Sequence, residues 1–253
     1  MTKSNGTVAQ CFVAGRVASS GHLHTDGRNL DSYSTAIAYR IENGQILLNS
    51  DRFSMSTSRH QSEAWYACHW GLNPHDYATV SFSALRRATY GRIHNIQILD
   101  VYPDDALLKV PGDATVGDRY LLSGVDRVTS TVRNPQRFLC ELYRPCTSVA
   151  DAYNSLVPFA IRIAQVNEIE VQRQGDWYFI ATEHHFRRRS RYSQHLSTTS
   201  RHYARYSDSV ADVMYVSGTV RHPEHRMLRL GNRWWRPVKN TAIASWSGGG
   251  GAD

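Results

Sequence analysis

Apolar and polar residues alternate along most of this 253-residue chain, as in half-buried strands, and the period changes in only a few places. Residues 10–18 (QCFVAGRVA) read as a first strand. After a polar loop carrying His22 and His24 come two apolar runs, 34–41 and 45–49, joined by Asn43-Gly44. Asn-Gly between such runs signals a hairpin, because both residues tolerate the positive φ that a tight turn demands. Next the period lengthens. Ser58-Arg59-His60-Gln61 has the form of a capping box, opening a helix that ends near Gly71 and Pro74. His60 then falls in a first turn, where free N–H groups attract anions.

From residue 78 to 132 the pattern is mostly strand, at 78–83, 96–102, 119–122 and 125–132, with 136–146 one more. Ser148 and Asp151 mark a second helix start, and Pro158 divides the helical stretch into two short helices. Strands at 168–172 and 177–182 enclose a turn at Gln174-Gly175-Asp176. The remainder is β again: 212–221, then 226–230, a Gly231-Asn232 turn and 233–239, before a flexible SGGGGAD tail. The expected class is α+β, mostly antiparallel β with a few short helices. Two halves, 1–135 and 136–253, are suggested by TSRH, which occurs at 57–60 and again at 199–202. Each copy comes after a hairpin, and Ile37-Ala38 is answered by Ile163-Ala164. Duplicated halves would put His60 and His202 in equivalent places.

Composition narrows the class. With 41% hydrophobic and 11% aromatic residues the chain folds and buries a core. Cys11, Cys68, Cys140 and Cys146 are scattered without a CxxC pair, which argues against a zinc ribbon and a disulfide framework. Cys68, His69 and His75 have ligand chemistry, but their surroundings fit a helix exit as well. The start of the chain lacks a signal-peptide core, and no run approaches the roughly 20 apolar residues of a membrane span. A soluble, cytoplasmic protein without membrane contact is expected. The net charge of +7 points to acidic partners.

That charge is concentrated. Residues 183–206, EHHFRRRSRYSQHLSTTSRHYARY, contain Arg187, Arg188, Arg189, Arg191, Arg201 and Arg205 against one carboxylate, Glu183. With Tyr192 and neighbouring aromatics, they offer guanidinium to phosphates and flat faces to bases, so DNA or RNA is the expected partner. A second basic group, His222, His225, Arg226, Arg233 and Arg236, lies in the last hairpin region. His60 and His202 are the catalytic candidates. Two imidazoles of opposite protonation state suffice for phosphodiester cleavage without a metal. No metal or other cofactor is expected, since the histidines sit in polar loops with few acids nearby. Pro223 removes the helical spacing of zinc sites, although a loop can present His222 and His225 to one metal or one phosphate.

Several segments together resemble an uncharacterised family of phage, archaeal and bacterial proteins: SYSTAIAYR with STSRHQ, VADAYNSLVP, RQGDWYF, and GTVRHPEHRMLRLGNRWW with NTAIASW. The resemblance spans about residues 32–246. It implies phage or mobile-element association and carries no activity. It leads to a His after Trp234, where this chain has Trp235. Three functions are expectations on these grounds: a nucleic-acid-binding protein, a histidine-based or metal-dependent nuclease, and a virion or assembly component.

Overall fold

A computed structural model describes residues 3–93, 95–113, 115–125, 137–185, 194–198, 200–223, 225–242 and 244–248. The fold is α+β, with three mostly antiparallel sheets, and the chain divides into two compact units. Unit 1 comprises residues 1–125, 135–155 and 242–253; unit 2 comprises 126–134 and 156–241. The division does not follow a cut at residue 135. A strand from 137–142 and the last strand of the chain both join a sheet of unit 1.

Unit 1 opens with α1 (Asn5–Val13), β1 (Ala18–Ser20), β2 (Leu23–Thr25), β3 (Asn29–Ser32), β4 (Thr35–Arg40), β5 (Ile46–Asn49), α2 (Met55–Gly71) and β6 (Tyr77–Val80). Its first sheet runs β1-β2-β3-β4-β5-β6, antiparallel except for β5–β6. Then come α3 (Phe82–Thr89), β7 (Gln97–Tyr102), β8 (Asp105–Val110), β9 (Arg119–Val125), β10 (Arg137–Leu142) and α4 (Val149–Leu156). Strand β5 shows how the layers arise. All four of its residues are buried: Ile46 and Leu48 face a cluster with Val8, Phe12, Ala64 and Cys68 of α1 and α2, while Leu47 faces one with Phe82 and Leu85 of α3. Side chains alternate across a strand, so an unbroken apolar run means cover on both faces.

The first apolar run is α1, not a strand. Ser4 caps it by accepting a hydrogen bond from Thr7 N, and Val8, Cys11 and Phe12 recur at helical spacing on its buried side. Ser54, not Ser58, caps α2, so His60 lies beyond the first turn; the Gln61 amide donates to Asn49 O and Asp51 O instead of closing a box. The β4–β5 hairpin is present, but only Gly44 takes a positive φ, at 89°. Residues 82 and 83, expected to end the strand from 78, instead open α3, capped by Ser81, and β8 was not anticipated.

Unit 2 contains α5 (Phe159–Val166), β11 (Val171–Gln174), β12 (Trp177–Thr182), β13 (Gln194–His195), β14 (Tyr203–Val210), β15 (Val213–His222) and β16 (His225–Lys239). They form one sheet, β11-β12-β16-β15-β14-β13; β17 (Ala244–Gly248) returns to unit 1 and pairs with β10. Pro158 separates α4 from α5 as its missing N–H requires. No turn forms at Gly231-Asn232. Gly231, at φ 68°, lies inside the continuous β16 opposite Gly218, at φ 86°, where the register shifts. A lone glycine in a strand often marks such a bulge.

The two TSRH strings do not share a structure. Residues 57–60 lie within α2, whereas 200–202 run without regular structure into β14. His60 and His202 therefore occupy elements of different type, and the expected duplication of halves is not seen in the fold.

Arg40 fastens one side of unit 1. Its guanidinium donates to Phe12 O, Val13 O, Gly27 O and Gly44 O, closing the carbonyl end of α1 against two loops. Replacing Arg40 with Met should leave those carbonyls unserved and destabilise unit 1 by at least about 2 kcal/mol. Urea unfolding measures this; an unchanged midpoint would remove Arg40 from the interactions that hold the unit.

Candidate functional site: a histidine cluster under a basic sheet

The sheet of unit 2 has an inner and an outer face, set by its registers. Trp177, Phe179, Ala181, Ala204, Val216, Val220, Leu230 and Trp235 pack together as the inner face. Ala204 pairs with Val220, so His202 and His222, each two residues along, fall on that side as well. His222 pairs in turn with His225 across the tip of the β15–β16 hairpin. The apolar layer thus ends in three imidazoles.

The rings lie against one another, with centroids 4.4 Å apart for His202–His222, 4.3 Å for His222–His225 and 5.5 Å for His202–His225. One nitrogen from each lies within 4.8 Å of the other two. His202 is 3% exposed, and its Nε2 is buried without a hydrogen-bond partner. On the other side of the ring, Nδ1 is 3.2 Å from Ser200 Oγ and 3.9 Å from Asp176 Oδ1. Burial, then the neighbouring His222 and His225, pushes the His202 pKa down to about 3. His202 is therefore a neutral imidazole at pH 7, and its approach to Asp176 is a dipole–charge contact, not a salt bridge.

The β11–β12 turn closes against this cluster. Gly175 adopts φ 58°, and a Cβ there would lie 2.6 Å from His225 Nε2. Gln174 reaches across the same end of the sheet, its amide donating to Arg226 O at 2.5 Å. Only a bare Cα lets the turn approach the imidazole this closely.

Opposite the imidazoles, the outer face is basic. Tyr203 pairs with Arg221, Thr219 with Arg229, Ile180 with Arg236 and Tyr178 with Arg173. Arg221, Arg229 and Arg236 are exposed, and the Arg173 guanidinium lies 5.2 Å from the Tyr178 ring centroid. Of these, Arg229 and Arg236 stand out in the sequence, as basic residues following the His222–Arg226 turn. Counting alternate positions outward from Val216 and Val220 would have found Arg221.

The remaining expected residues differ in their surroundings. Arg201, Arg205 and Arg226 are exposed, and Arg205 lies over the Tyr206 ring. Arg233 is held at 3.4 Å from Glu170 Oε2 and lies over Trp235. Arg187, Arg188, Arg189, Arg191 and Tyr192 lie outside the described residues. His60 is 8% exposed in unit 1, where its Nδ1 is 2.7 Å from the fully buried Ser32 Oγ. Its surroundings are interior, and it takes no part in the unit 2 cluster. All four cysteines are free and buried. No helix among the described residues is long and apolar enough to cross a membrane. Compared with protein-family models, curated proteins and solved structures, the chain matches none.

Two measurements probe these surroundings. Burial, helped by His22 and Arg59, lowers the His60 pKa below 6.5. The unfolded chain therefore takes up a proton first, so stability held above pH 6.5 is lost as pH falls towards the folded value. His60→Asn should remove this contribution, and the stability gap between wild type and variant should narrow below pH 6.5, by up to about 1.4 kcal/mol per pH unit. A gap independent of pH between 7.5 and 5.5 would contradict it. Gly175→Ala should cost about 1–3 kcal/mol through its positive φ and its clash with His225. It should also shift the His225 imidazole resonances in NMR spectra, and unmoved resonances would refute the close approach.

Proposed function

We propose that the protein binds nucleic acid, DNA or RNA, through unit 2, in a phage or mobile-element setting. The observation that carries this reading is the segregation of charge. Unit 2 holds sixteen Arg and Lys against eight Asp and Glu, while the longer unit 1 holds thirteen against fourteen. The excess over the whole chain is thus an excess of one unit, and a concentrated positive field attracts polyanions far better than a dispersed one. The half-buried Tyr203, paired with Arg221, offers stacking surface of the kind that single strands use. The phage setting rests on the family resemblance.

A second reading, a histidine-based or metal-dependent nuclease, draws on the three imidazoles of the same unit. Cleavage abolished by His202→Ala would select it. An oligomeric shell that carries no nucleic acid would select the assembly role.

Two variants test the binding reading: Arg221, Arg229 and Arg236 replaced by alanine, and Arg187, Arg188, Arg189 and Arg191 replaced likewise. Fluorescence anisotropy with labelled duplex and single strands gives log affinity against log salt. The slope should flatten by about 0.9 per lost phosphate contact on duplex and about 0.7 on single strands. The melting temperature of the Arg221, Arg229 and Arg236 variant should hardly move, because exposed charges contribute little to stability. Unchanged slopes in both variants would refute the reading.

A further inference from the structure

We propose that His202, His222 and His225 form a binding site for one divalent transition-metal ion of the zinc class. The site is distinct from the basic outer face and does not depend on whether that face binds nucleic acid.

Three observations converge on it. Three nitrogen ligands from two strands and the loop before a third lie within 4.8 Å of one another. Zinc bonds of about 2.0–2.1 Å in tetrahedral geometry place ligand nitrogens roughly 3.3 Å apart, so the nitrogens need draw together by no more than about 1.5 Å. His202 Nε2 is a buried polar atom with no hydrogen-bond partner, which is costly for a folded protein to leave unused. The opposite nitrogen of that ring is served by Ser200 Oγ at 3.2 Å, with Asp176 Oδ1 at 3.9 Å. A carboxylate and hydroxyl behind a ligating imidazole fix its tautomer and orientation.

The donor set defines the ion. Three imidazoles without thiolate or carboxylate suit zinc, copper or nickel over magnesium or calcium, which take oxygen ligands. Three protein ligands leave a fourth position for water or a substrate oxygen, the arrangement of catalytic rather than structural zinc sites. His222 and His225 are only half-buried, so that position can be reached from solvent. Sequence spacing hid the set, because Pro223 breaks helical geometry and His202 arrives from the loop before β14.

The test uses full-length protein without a polyhistidine tag, stripped with chelator and titrated with Zn2+ against a chromophoric competitor. About one equivalent should bind. The Co2+ form should show the visible absorption of a tetrahedral nitrogen site without a thiolate charge-transfer band. His222→Ala and His225→Ala should each weaken binding by more than about 100-fold, and Asp176→Asn by about 10–100-fold. Exposed His75→Ala in unit 1 should change nothing. Because His202 is almost fully buried, the half-buried His222 and His225 carry the test, with circular dichroism confirming their fold. Binding well below one equivalent, or stoichiometric binding that survives the His222→Ala/His225→Ala double substitution, would overturn the proposal.

Discussion

Unit 2 depends on keeping β16 continuous while its register slips. Leu230 and Trp235 are five residues apart, so strict alternation would send them to opposite faces. Both nevertheless pack in the inner layer, and the Trp235 indole donates to Leu230 O at 3.0 Å. The bulge where Gly231 meets Gly218 supplies the missing half-period, and both glycines take the left-handed φ that such a bulge needs. A second irregularity nearer the tip, between the Val220–Leu228 and His222–His225 pairs, brings His225 back beside His222. The same device that buries the tryptophan also assembles the imidazoles.

Legibility in the sequence tracked the strength of the local signal. Strand β12 was readable to the residue because Trp177 to Thr182 is apolar and flanked by Gly175 on one side and polar residues on the other. The break at Pro158 was equally plain, since proline removes a donor wherever it stands. Residues 10–13 were ambiguous because a short apolar run fits strand and helix alike. The residue that decided for α1 was Ser4, too far upstream to be read together with that run. Gly231-Asn232 failed for the opposite reason. It carries a true turn signal, but the chain there is paired with β15, and residues 234–239 with β12 as well, so it runs on as one strand. The TSRH repeat failed because four shared residues specify little when one copy sits just past a helix cap and the other leads into a strand.

The histidine cluster was half legible. His222 and His225 are neighbours in sequence and were visible as a pair, but their third member is set by the β14–β15 register, a long-range property that no local pattern encodes. Asp176 and Ser200 were invisible for the same reason, since each acts through a fold contact with His202.

The unit uses its two kinds of basic residue in opposite ways. Outer arginines keep their charge at any physiological pH and remain in water, where a guanidinium needs no partner to be stable. Inside, the His202 imidazole is stripped of charge by burial and by His222 and His225 beside it. Lys239 adds to that depression, while Asp176 lies near both, 3.8 Å from its ammonium. If His202 were protonated, it would add repulsion to a unit already rich in positive charge. Neutral, it adds none and retains a lone pair. The separation of arginine and histidine across one sheet thus lets strong fixed charge and ligand-ready nitrogen coexist within a single small unit.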